Sequence, residues 1–355
     1  MGKSVKLGLL APLSGIVGLY GDEISTAAKI ACDEVNEEGG VLGLPLEIII
    51  EDDGSMPDTA IDAAERLVNK HKCQALIGNL LSNSRIAVAY RVAEPLRIPL
   101  LNFSFYEGGI MSHYFFHFGA LPNQQIDMMI PFMANKYGKK IFFAGHEYQW
   151  PRGSIDAGKK SLRNINGQIV GEQYLPIGTS KADLEELLNN LEKSDADVFI
   201  PYFAGQDQIE LLTLFSQRGL QDKIAVVMGH YDENMASKLP PNVRSGLYST
   251  NTYFMSIPTT ENKMYQERLE KENGINGVWP KGNGILTNFG EGTYICVKAY
   301  AKAINCAKSL DTEDIIQALK VVEVKSPQGL VSMNPTNHHA TVNSFLTQCQ
   351  SDGKW

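Results

Sequence analysis

The sequence contains no hydrophobic run long enough to cross a membrane, because none approaches the roughly 18 consecutive apolar residues that a spanning helix needs. The first residues, MGKSVKL, also lack the apolar core of a signal peptide. These two absences predict a soluble chain without direct membrane insertion. A chain from which an export signal had been removed would look the same, so the compartment stays open on this ground.

Basic runs and stripes of alternating basic and aromatic residues are also absent. The formal net charge is -8 and the pI is near 5.5. Binding to nucleic acid or to an anionic membrane surface needs a concentration of positive charge that this chain does not have. We therefore expect neither nucleic acid nor a membrane surface among its partners.

Cysteines are few, and neither they nor the histidines are spaced as metal ligands. None of the cysteines forms a CxxC pair, and the odd count leaves at least one thiol free. The histidine pairs His113 with His117 and His338 with His339 lack acidic or cysteine partners at ligand spacing. The sequence therefore predicts no metal and no cofactor. The cysteines are Cys32, Cys73, Cys296, Cys306 and Cys349.

The common catalytic motifs are missing as well. There is no GxSxG, P-loop or HExxH motif, and no cysteine stands beside a readable base. Hydroxyls, amides and aromatic rings suit binding better than proton transfer. We expect a protein that is not an enzyme.

Strands and helices alternate along most of the chain. A strand at Val5–Ala11 precedes a glycine-punctuated loop, a helix with one apolar face and the second strand LEIIIEDD. The same β/α order continues as far as a strand that ends at Met228, and such alternation is typical of doubly wound parallel sheets. At 355 residues the chain is long for one core, so two α/β lobes are expected.

The last hundred residues break this rhythm, and no low-complexity linker separates two halves. We predict three short crossings, near 121–123, 251–253 and 328–330, which together make a stiff hinge. The predicted domains are therefore 1–121 with 253–328, and 122–252 with 329–355.

The loop SGIVGLYG resembles a dinucleotide-binding fingerprint only in its position. Its spacing is GxxGxxG instead of GxGxxG. Tight turns are the better interpretation, although Tyr20 in this loop can reach a ligand held at the sheet edge.

Polar and aromatic residues cluster at two neighbouring strand ends in the first half. Ser82 follows a strand and precedes a helix, where Ser82 or Asn83 can cap the helix or grip a ligand oxygen. At the next strand end, NFSFYEGG offers Asn102, Ser104 and Phe105. Because carboxyl ends of parallel strands share one edge of a sheet, the pair favours a binding site.

The second half repeats the arrangement. Tyr148 and Trp150 follow the strand KKIFFAG and form either the walls of a ligand site or interdomain packing. Asp232 is either the partner of a ligand ammonium or the cap of the next helix. The further candidates at the strand ends FAGQD and MGHYDE are Phe203, Gly205, Gln206 and His230.

The stretch ACDEVNEEGGVLGLPLEIIIEDDGSMPDTAIDAAERLV, with FYEGG, ALPNQQ, HEYQWPR and PQGLVSMNPTNHH, resembles the type I periplasmic binding proteins over essentially the whole chain. Within that family it is most similar to the branched-chain amino acid and amide/urea branch. The resemblance implies two α/β lobes joined by three strands, which close like a flytrap on a small molecule without catalysis.

The resemblance also implies roles for individual residues. The ligand-gripping serine of the family matches Ser82, its polar position at the fourth strand end matches Ser104, and its second-lobe aromatic pair matches Tyr148 and Trp150. Where amide-binding relatives have tyrosines, this chain has Leu80 and Asn102, and its second ring is an indole. A pocket with fewer phenol hydroxyls predicts a different ligand preference.

Together these features predict non-catalytic binding of a small polar solute, either an amino acid, an amide or a urea-like compound. One hypothesis is the solute receptor of an ABC importer, which would meet a permease outside the cytoplasm, in the periplasm. The alternative is a sensor that signals to a partner protein, which would be cytoplasmic if it were an amide-responsive regulator.

Overall fold

The computed structural model describes residues 4–355. These residues form two α/β lobes, each built on its own sheet, and a small third sheet. The strands are β1 (Val5–Ala11), β2 (Leu46–Asp52), β3 (Ala75–Ile77), β4 (Leu100–Asn102), β5 (Phe115–His117), β6 (Lys140–His146), β7 (Gln168–Leu175), β8 (Val198–Tyr202), β9 (Ala225–Met228), β10 (Tyr248–Asn251), β11 (Glu323–Ser326), β12 (Gly329–Met333), β13 (Ala340–Thr341) and β14 (Phe345–Gln348).

The sheets are parallel except at one edge and in the small sheet. The first sheet has the order β2-β1-β3-β4-β5, and all of its pairings are parallel. The second has the order β14-β10-β9-β8-β6-β7, in which only β14 is antiparallel to its neighbour. We call the lobes built on them the first and second lobes. The predicted fold class, α/β with two doubly wound lobes, is confirmed.

The helices connect and cover these strands. They are α1 (Gly21–Glu37), α2 (Pro57–Glu65), α3 (Ser82–Val88), α4 (Glu94–Leu96), α5 (Pro122–Tyr137), α6 (Gln149–Asn164), α7 (Lys181–Lys193), α8 (Gly205–Gln217), α9 (Glu233–Lys238), α10 (Pro241–Arg244), α11 (Thr260–Leu269), α12 (Asn288–Ala307) and α13 (Thr312–Leu319). Two π-helical turns, Arg66–Lys70 and Ala89–Ala93, extend α2 and join α3 to α4.

Small side chains let the first helix lie close to its neighbours. Ala27, Ala28 and Ala31 are fully buried on one face of α1, which packs against α12. Leu7 and Leu9 of β1 are also fully buried, as expected for a strand covered on both faces. The core of the first lobe therefore runs from this sheet into α1 and α12.

The chain passes between the two sheets three times. It leaves the first sheet after β5, leaves the second after β10, and returns to the second at β14. The predicted third crossing, 328–330, falls at the end of the turn between β11 and β12 and on the first residues of β12, and these two strands pair with each other. In addition, His339 bridges to His117 of β5. The predicted domain division stays a prediction, and these pairings favour a later third crossing, at about 342–344.

The two lobes touch one another across the cleft. The Asn234 side-chain amide in α9 donates to the Leu19 carbonyl oxygen at 2.7 Å. The rings of Phe105 and Trp150, which belong to different lobes, have centroids 5.4 Å apart. The two lobes are therefore in direct contact on both sides of the cleft in this structure.

Candidate functional site

A cavity lies between the lobes, where the carboxyl ends of strands from both sheets meet. It has about 350 Å³ of empty space, including its mouth. Open α/β sheets bind ligands at this edge, because the loops and helix N-termini that follow the strands converge there. The lining residues are Val17, Tyr20, Leu80, Leu81, Ser82, Phe105, Tyr148, Trp150, Ala204, Gly205, His230, Met235 and Phe289.

Most of the residues predicted from the sequence are brought together at this cavity. The first lobe contributes Tyr20, Leu80, Ser82 and Phe105, and the second contributes Tyr148, Trp150, Gly205 and His230. They converge because each follows a parallel strand of its own sheet. Their contact with a ligand stays a prediction.

The other predicted residues do not line the cavity. Asn102 is fully buried, and its amide donates to the carbonyl oxygens of Gly78 and Asn79, both at 2.9 Å. The Ser104 hydroxyl donates to the Phe105 carbonyl oxygen at 3.1 Å. Both side chains are thus hydrogen-bonded to the nearby backbone, whereas we predicted that they contact a ligand.

Three predicted residues of the second lobe also lie away from the cavity. Phe203 is fully buried and packs edge-to-face on His146, with centroids 4.9 Å apart, whereas Gln206 is exposed to solvent. Asp232 is fully buried and caps α9, accepting from the Met235 amide at 2.9 Å. The capping alternative for Asp232 is therefore present in the structure.

An aromatic wall closes the second-lobe side of the cavity. Trp150 is 6% exposed and packs edge-to-face on His230, with ring centroids 4.9 Å apart, and on Tyr202, at 5.5 Å. Burial lowers the pKa of His230 to about 3, so the imidazole is neutral at physiological pH. The His230 Nδ1 and the Tyr202 hydroxyl are buried without hydrogen-bond partners. Unpaired buried polar atoms are costly, and a bound ligand is one way to satisfy them.

Ser82 sits in a charged network on the first-lobe side. The Arg85 Nη2 donates to the Ser82 hydroxyl at 2.6 Å, and this hydroxyl donates to the Glu107 Oε2 at 2.8 Å. Helix α3 begins at Ser82 itself, with Leu81 at the cap position and no side-chain cap. The predicted N-cap at Ser82 or Asn83 is therefore wrong, because the Ser82 hydroxyl serves the ion pair instead.

A group of acidic side chains lies behind Tyr20. Burial raises the pKa of Asp232 to about 7 and that of Glu23 to about 8, and burial together with Asp232 raises the pKa of the Tyr20 hydroxyl. The Tyr20 hydroxyl and the Asp232 carboxyl are both buried and interact with each other. The acidic groups on this side of the site therefore carry negative charge or protons.

Several cavity residues were not predicted from the sequence. Val17, Leu81, Ala204 and Met235 are apolar neighbours of predicted positions. Phe289 comes from α12, far along the chain, and no sequence pattern marks it. Glu107 and Arg85 occur within the stretches FYEGG and NLLSNSR, where an acid and a base beside binding motifs were the available signal.

Two absences hold for the part of the chain that the structure describes. Among residues 4–355, no group of three or more His, Cys, Asp or Glu side chains could hold a metal ion. Within the same range, no helix is both long and apolar enough to span a bilayer.

The fold and the cleft define a two-lobed solute-binding protein. A family model described as periplasmic binding protein matches residues 4–354, so the chain belongs to this family. The resemblance drawn from the sequence is confirmed at the level of the family. Members of the family bind solutes and are not enzymes; that this chain lacks catalysis stays a prediction.

Relatives and solved structures are similar over almost the whole chain. The Leu/Ile/Val-binding protein homolog 8 of Brucella melitensis biotype 1 is 23% identical, over 99% of this chain and 89% of that protein. A solute binding protein of an ABC transporter from Rhodopseudomonas palustris HaA2, in complex with p-hydroxybenzoic acid, has a TM-score of 0.86 at 22% identity. That alignment covers 98% of this chain and 93% of the other.

A branched-chain amino acid transporter substrate binding protein from Streptococcus pneumoniae, in complex with isoleucine, is also similar. Its TM-score is 0.83 at 20% identity, and the alignment covers 99% of this chain and 97% of the other. At these identities, the two structures show the fold of this chain.

Proposed function

We propose that this protein binds a small polar solute in the cavity between its lobes and closes around it. The observation that supports this most is that both lobes contribute walls to one cavity, with Phe105 of the first lobe against Trp150 of the second. A ligand that contacts both lobes stabilises the closed form, because the open form offers it only half of these contacts.

The walls favour a solute that has an apolar part. Leu80, Phe105, Met235 and Phe289 present hydrocarbon, and Trp150 presents an indole. The polar atoms without partners nearby belong to Tyr202 and His230. An amino acid with an apolar side chain or a short-chain amide satisfies both kinds of surface, whereas urea would leave the apolar walls uncovered.

We further propose delivery of the solute to the permease of an ABC importer, outside the cytoplasm. The support comes from the similar structures, which include a solute-binding protein of an ABC transporter and a substrate-binding protein of a branched-chain amino acid transporter. The relative from Brucella melitensis is a Leu/Ile/Val-binding protein homologue, which supports the solute-binding part of this proposal.

The first prediction tests the cavity itself. Ligand is identified by mass spectrometry of compounds released from the purified protein and by a thermal-shift screen of amides, urea and amino acids. We expect Trp150→Ala to weaken the best binder by roughly tenfold or more, because about 1.5–3 kcal/mol of apolar contact is lost. Ser82→Ala should also weaken it, since the network around Arg85 loses its central hydroxyl.

The matched control is Tyr90→Ala, which removes a ring that is 42% exposed and does not line the cavity. Affinities are measured by isothermal titration calorimetry. Unchanged affinity in both Trp150→Ala and Ser82→Ala would place the binding site elsewhere.

A further inference from the structure

Arg85 places a fully buried positive charge beside the cavity. Its side chain is 0% exposed. One guanidinium nitrogen donates to the Ser82 hydroxyl at 2.6 Å, and another lies 3.3 Å from the Asn102 Oδ1. The guanidinium also lies over the Tyr106 ring, 4.7 Å from its centroid. Because Ser82 lines the cavity, this charge is one side chain away from a bound solute.

The chain supplies its own counter-charge to this cation. The Glu107 Oε2 lies 3.7 Å from the Arg85 Nη2, and the Ser82 hydroxyl bridges the two groups. The Glu107 side chain is 11% exposed. The carboxylate therefore occupies the place at which a carboxylate on a ligand could pair with Ser82 and Arg85.

Among residues 4–355, no lysine or arginine lines the cavity, and His230 is neutral because burial lowers its pKa to about 3. On the opposite side lie Asp232 and Glu23, which bear negative charge or protons. A solute anion would consequently lie beside the Glu107 carboxylate with no free cation to pair with it, and only hydroxyl and helix N-terminal N–H groups could hold it. An uncharged solute avoids both this repulsion and the cost of desolvating a charge.

We infer that Glu107 sets the charge selectivity of this cavity, by neutralising Arg85 and so excluding solutes whose polar end is a free carboxylate. The inference rests on the proposed function of the cavity and narrows its two candidate solutes to the amide, because an amino acid carries a free carboxylate. It adds Glu107 as a specificity-determining residue. Solutes with an uncharged amide end fit, since they satisfy the unpaired polar atoms without bringing a second anion. Glu107 also has a buried oxygen, Oε1, without a hydrogen-bond donor, to which an N–H group is complementary.

The test compares solutes that differ only in this end. Isobutyramide and isobutyrate, benzamide and benzoate, and leucinamide and leucine are titrated by calorimetry into the full chain at pH 7.5. For the wild type, we expect at least one amide to bind at least tenfold more tightly than its carboxylate partner. This comparison needs no substitution, so it stands even if a variant fails to fold.

The variant Glu107→Gln frees Arg85 while keeping the size of the side chain. Carboxylate affinity should rise by at least tenfold in this variant. The double variant Arg85→Gln with Glu107→Gln should not show that rise, because the cation that would receive the carboxylate is gone. The control is Glu51→Gln, which breaks another Glu–Arg pair, with Arg66 at 2.9 Å on the outside of the first lobe. It should leave every affinity unchanged.

The outcomes distinguish a failure of the proposed role of Glu107 from a failure of the proposed binding function. If carboxylates bind the wild type as tightly as amides, or if Glu107→Gln gains no carboxylate affinity, the role of Glu107 is refuted while the cavity remains a binding site. If neither these pairs nor the solutes of the wider screen bind, the proposed function itself is refuted and the inference falls with it.

Discussion

At the scale of single residues, two glycines determine how closely the lobes approach. Gly205, at the start of α8, has φ +58°, and a Cβ built there would lie 1.9 Å from the Ile16 carbonyl oxygen. Gly153, inside α6, would place a Cβ 2.5 Å from the Glu107 Cβ. Both contacts join the second lobe to the first. A side chain at either position would therefore obstruct the closed form.

Gly153 offers the cleaner substitution, because its own backbone is helical. We expect Gly153→Ala to leave the free energy of unfolding unchanged or to raise it by up to about 1 kcal/mol, since alanine favours a helix. Solute affinity should nevertheless fall by at least tenfold, because the added methyl group overlaps Glu107 only when the lobes are closed. Thermal unfolding and calorimetry measure the two effects separately.

Gly18→Ala is the matched control for this substitution. A Cβ at Gly18 meets its nearest atom at 3.7 Å, an ordinary contact, in the loop beside Tyr20. Unaltered affinity in Gly153→Ala would mean that closure does not require the close contact with Glu107.

Some of the site residues could be predicted from the sequence and others could not. Ser82, Tyr148 and Trp150 were predicted because each follows a strand, and all three line the cavity. Asn102 and Ser104 also follow a strand, yet the local backbone uses their hydrogen bonds. Position at a strand end predicts where a side chain lies. Whether its polar atoms are already hydrogen-bonded depends on residues that are distant in sequence.

At the scale of elements, strands with long apolar runs and helices with clear periodicity were predictable. The strand Val5–Ala11 has its predicted bounds. Helix α6 begins at Gln149, so Trp150, which was predicted to follow a strand, lies in the first turn of a helix. The three-residue strand β5 was missed, because Phe115–His117 is too short to show a period.

The N-terminus of α12 depends on an acid from α1. The Glu23 carboxylate accepts from the Thr287 amide at 2.8 Å and from the Thr287 hydroxyl at 3.1 Å. An anion suits a helix N-terminus, but here burial raises the pKa of Glu23 from 4.5 to about 8. The folded protein therefore keeps Glu23 protonated at neutral pH, whereas in the unfolded chain this carboxyl has already lost its proton.

This proton makes stability depend on pH. Stability that Glu23 contributes is fully present below pH 4.5 and is lost as the pH rises through 8. Burial acts in the same direction on Asp232 and Glu291, whose pKa values are raised to about 7. We expect the melting temperature to fall between pH 6.5 and 8.5. Between these two pH values, the free energy of unfolding should decrease less in Glu23→Gln than in the wild type, by up to about 2 kcal/mol. Thermal unfolding at both pH values measures this difference.

Below pH 6.5 an opposing effect begins. Burial lowers the pKa of His117 and His230, so the unfolded chain takes up protons that the folded protein does not. For this reason the comparison is confined to pH 6.5 and above. The control is Glu38→Gln, which changes a side chain that is 71% exposed. A pH profile identical in Glu23→Gln and the wild type would assign the dependence to other groups.

At the scale of the whole molecule, the proposed closing around a solute requires an open state in which the contacts between the lobes are broken. The contacts between the lobes include the hydrogen bond from the Asn234 side chain to the Leu19 carbonyl oxygen. The chain connects the two sheets three times, and these connections form the hinge. Such a hinge permits rigid lobes to move about a short axis. A shift from 1:99 to 99:1 closed would need about 5.5 kcal/mol of differential affinity.

Small-angle X-ray scattering tests this closure. We expect the radius of gyration to decrease when the best-binding solute of the screen is added at saturation, because the ligand selects the closed form. Gly153→Ala should show a smaller decrease, or none. Equal scattering curves with and without solute in the wild type would argue against a closing mechanism.

The sequence by itself determined the family, the α/β class and the strands whose ends build the cavity. Periodicity and apolar runs involve only residues that are close in the chain, so they can be recognised in the sequence alone. Only the tertiary structure decided that Glu107 reaches Ser82 and Arg85, that Phe289 joins the cavity from α12, and that β12 pairs with β11. These relations depend on which distant segments pack together, and burial then determines which polar atoms are paired and which charges are neutralised.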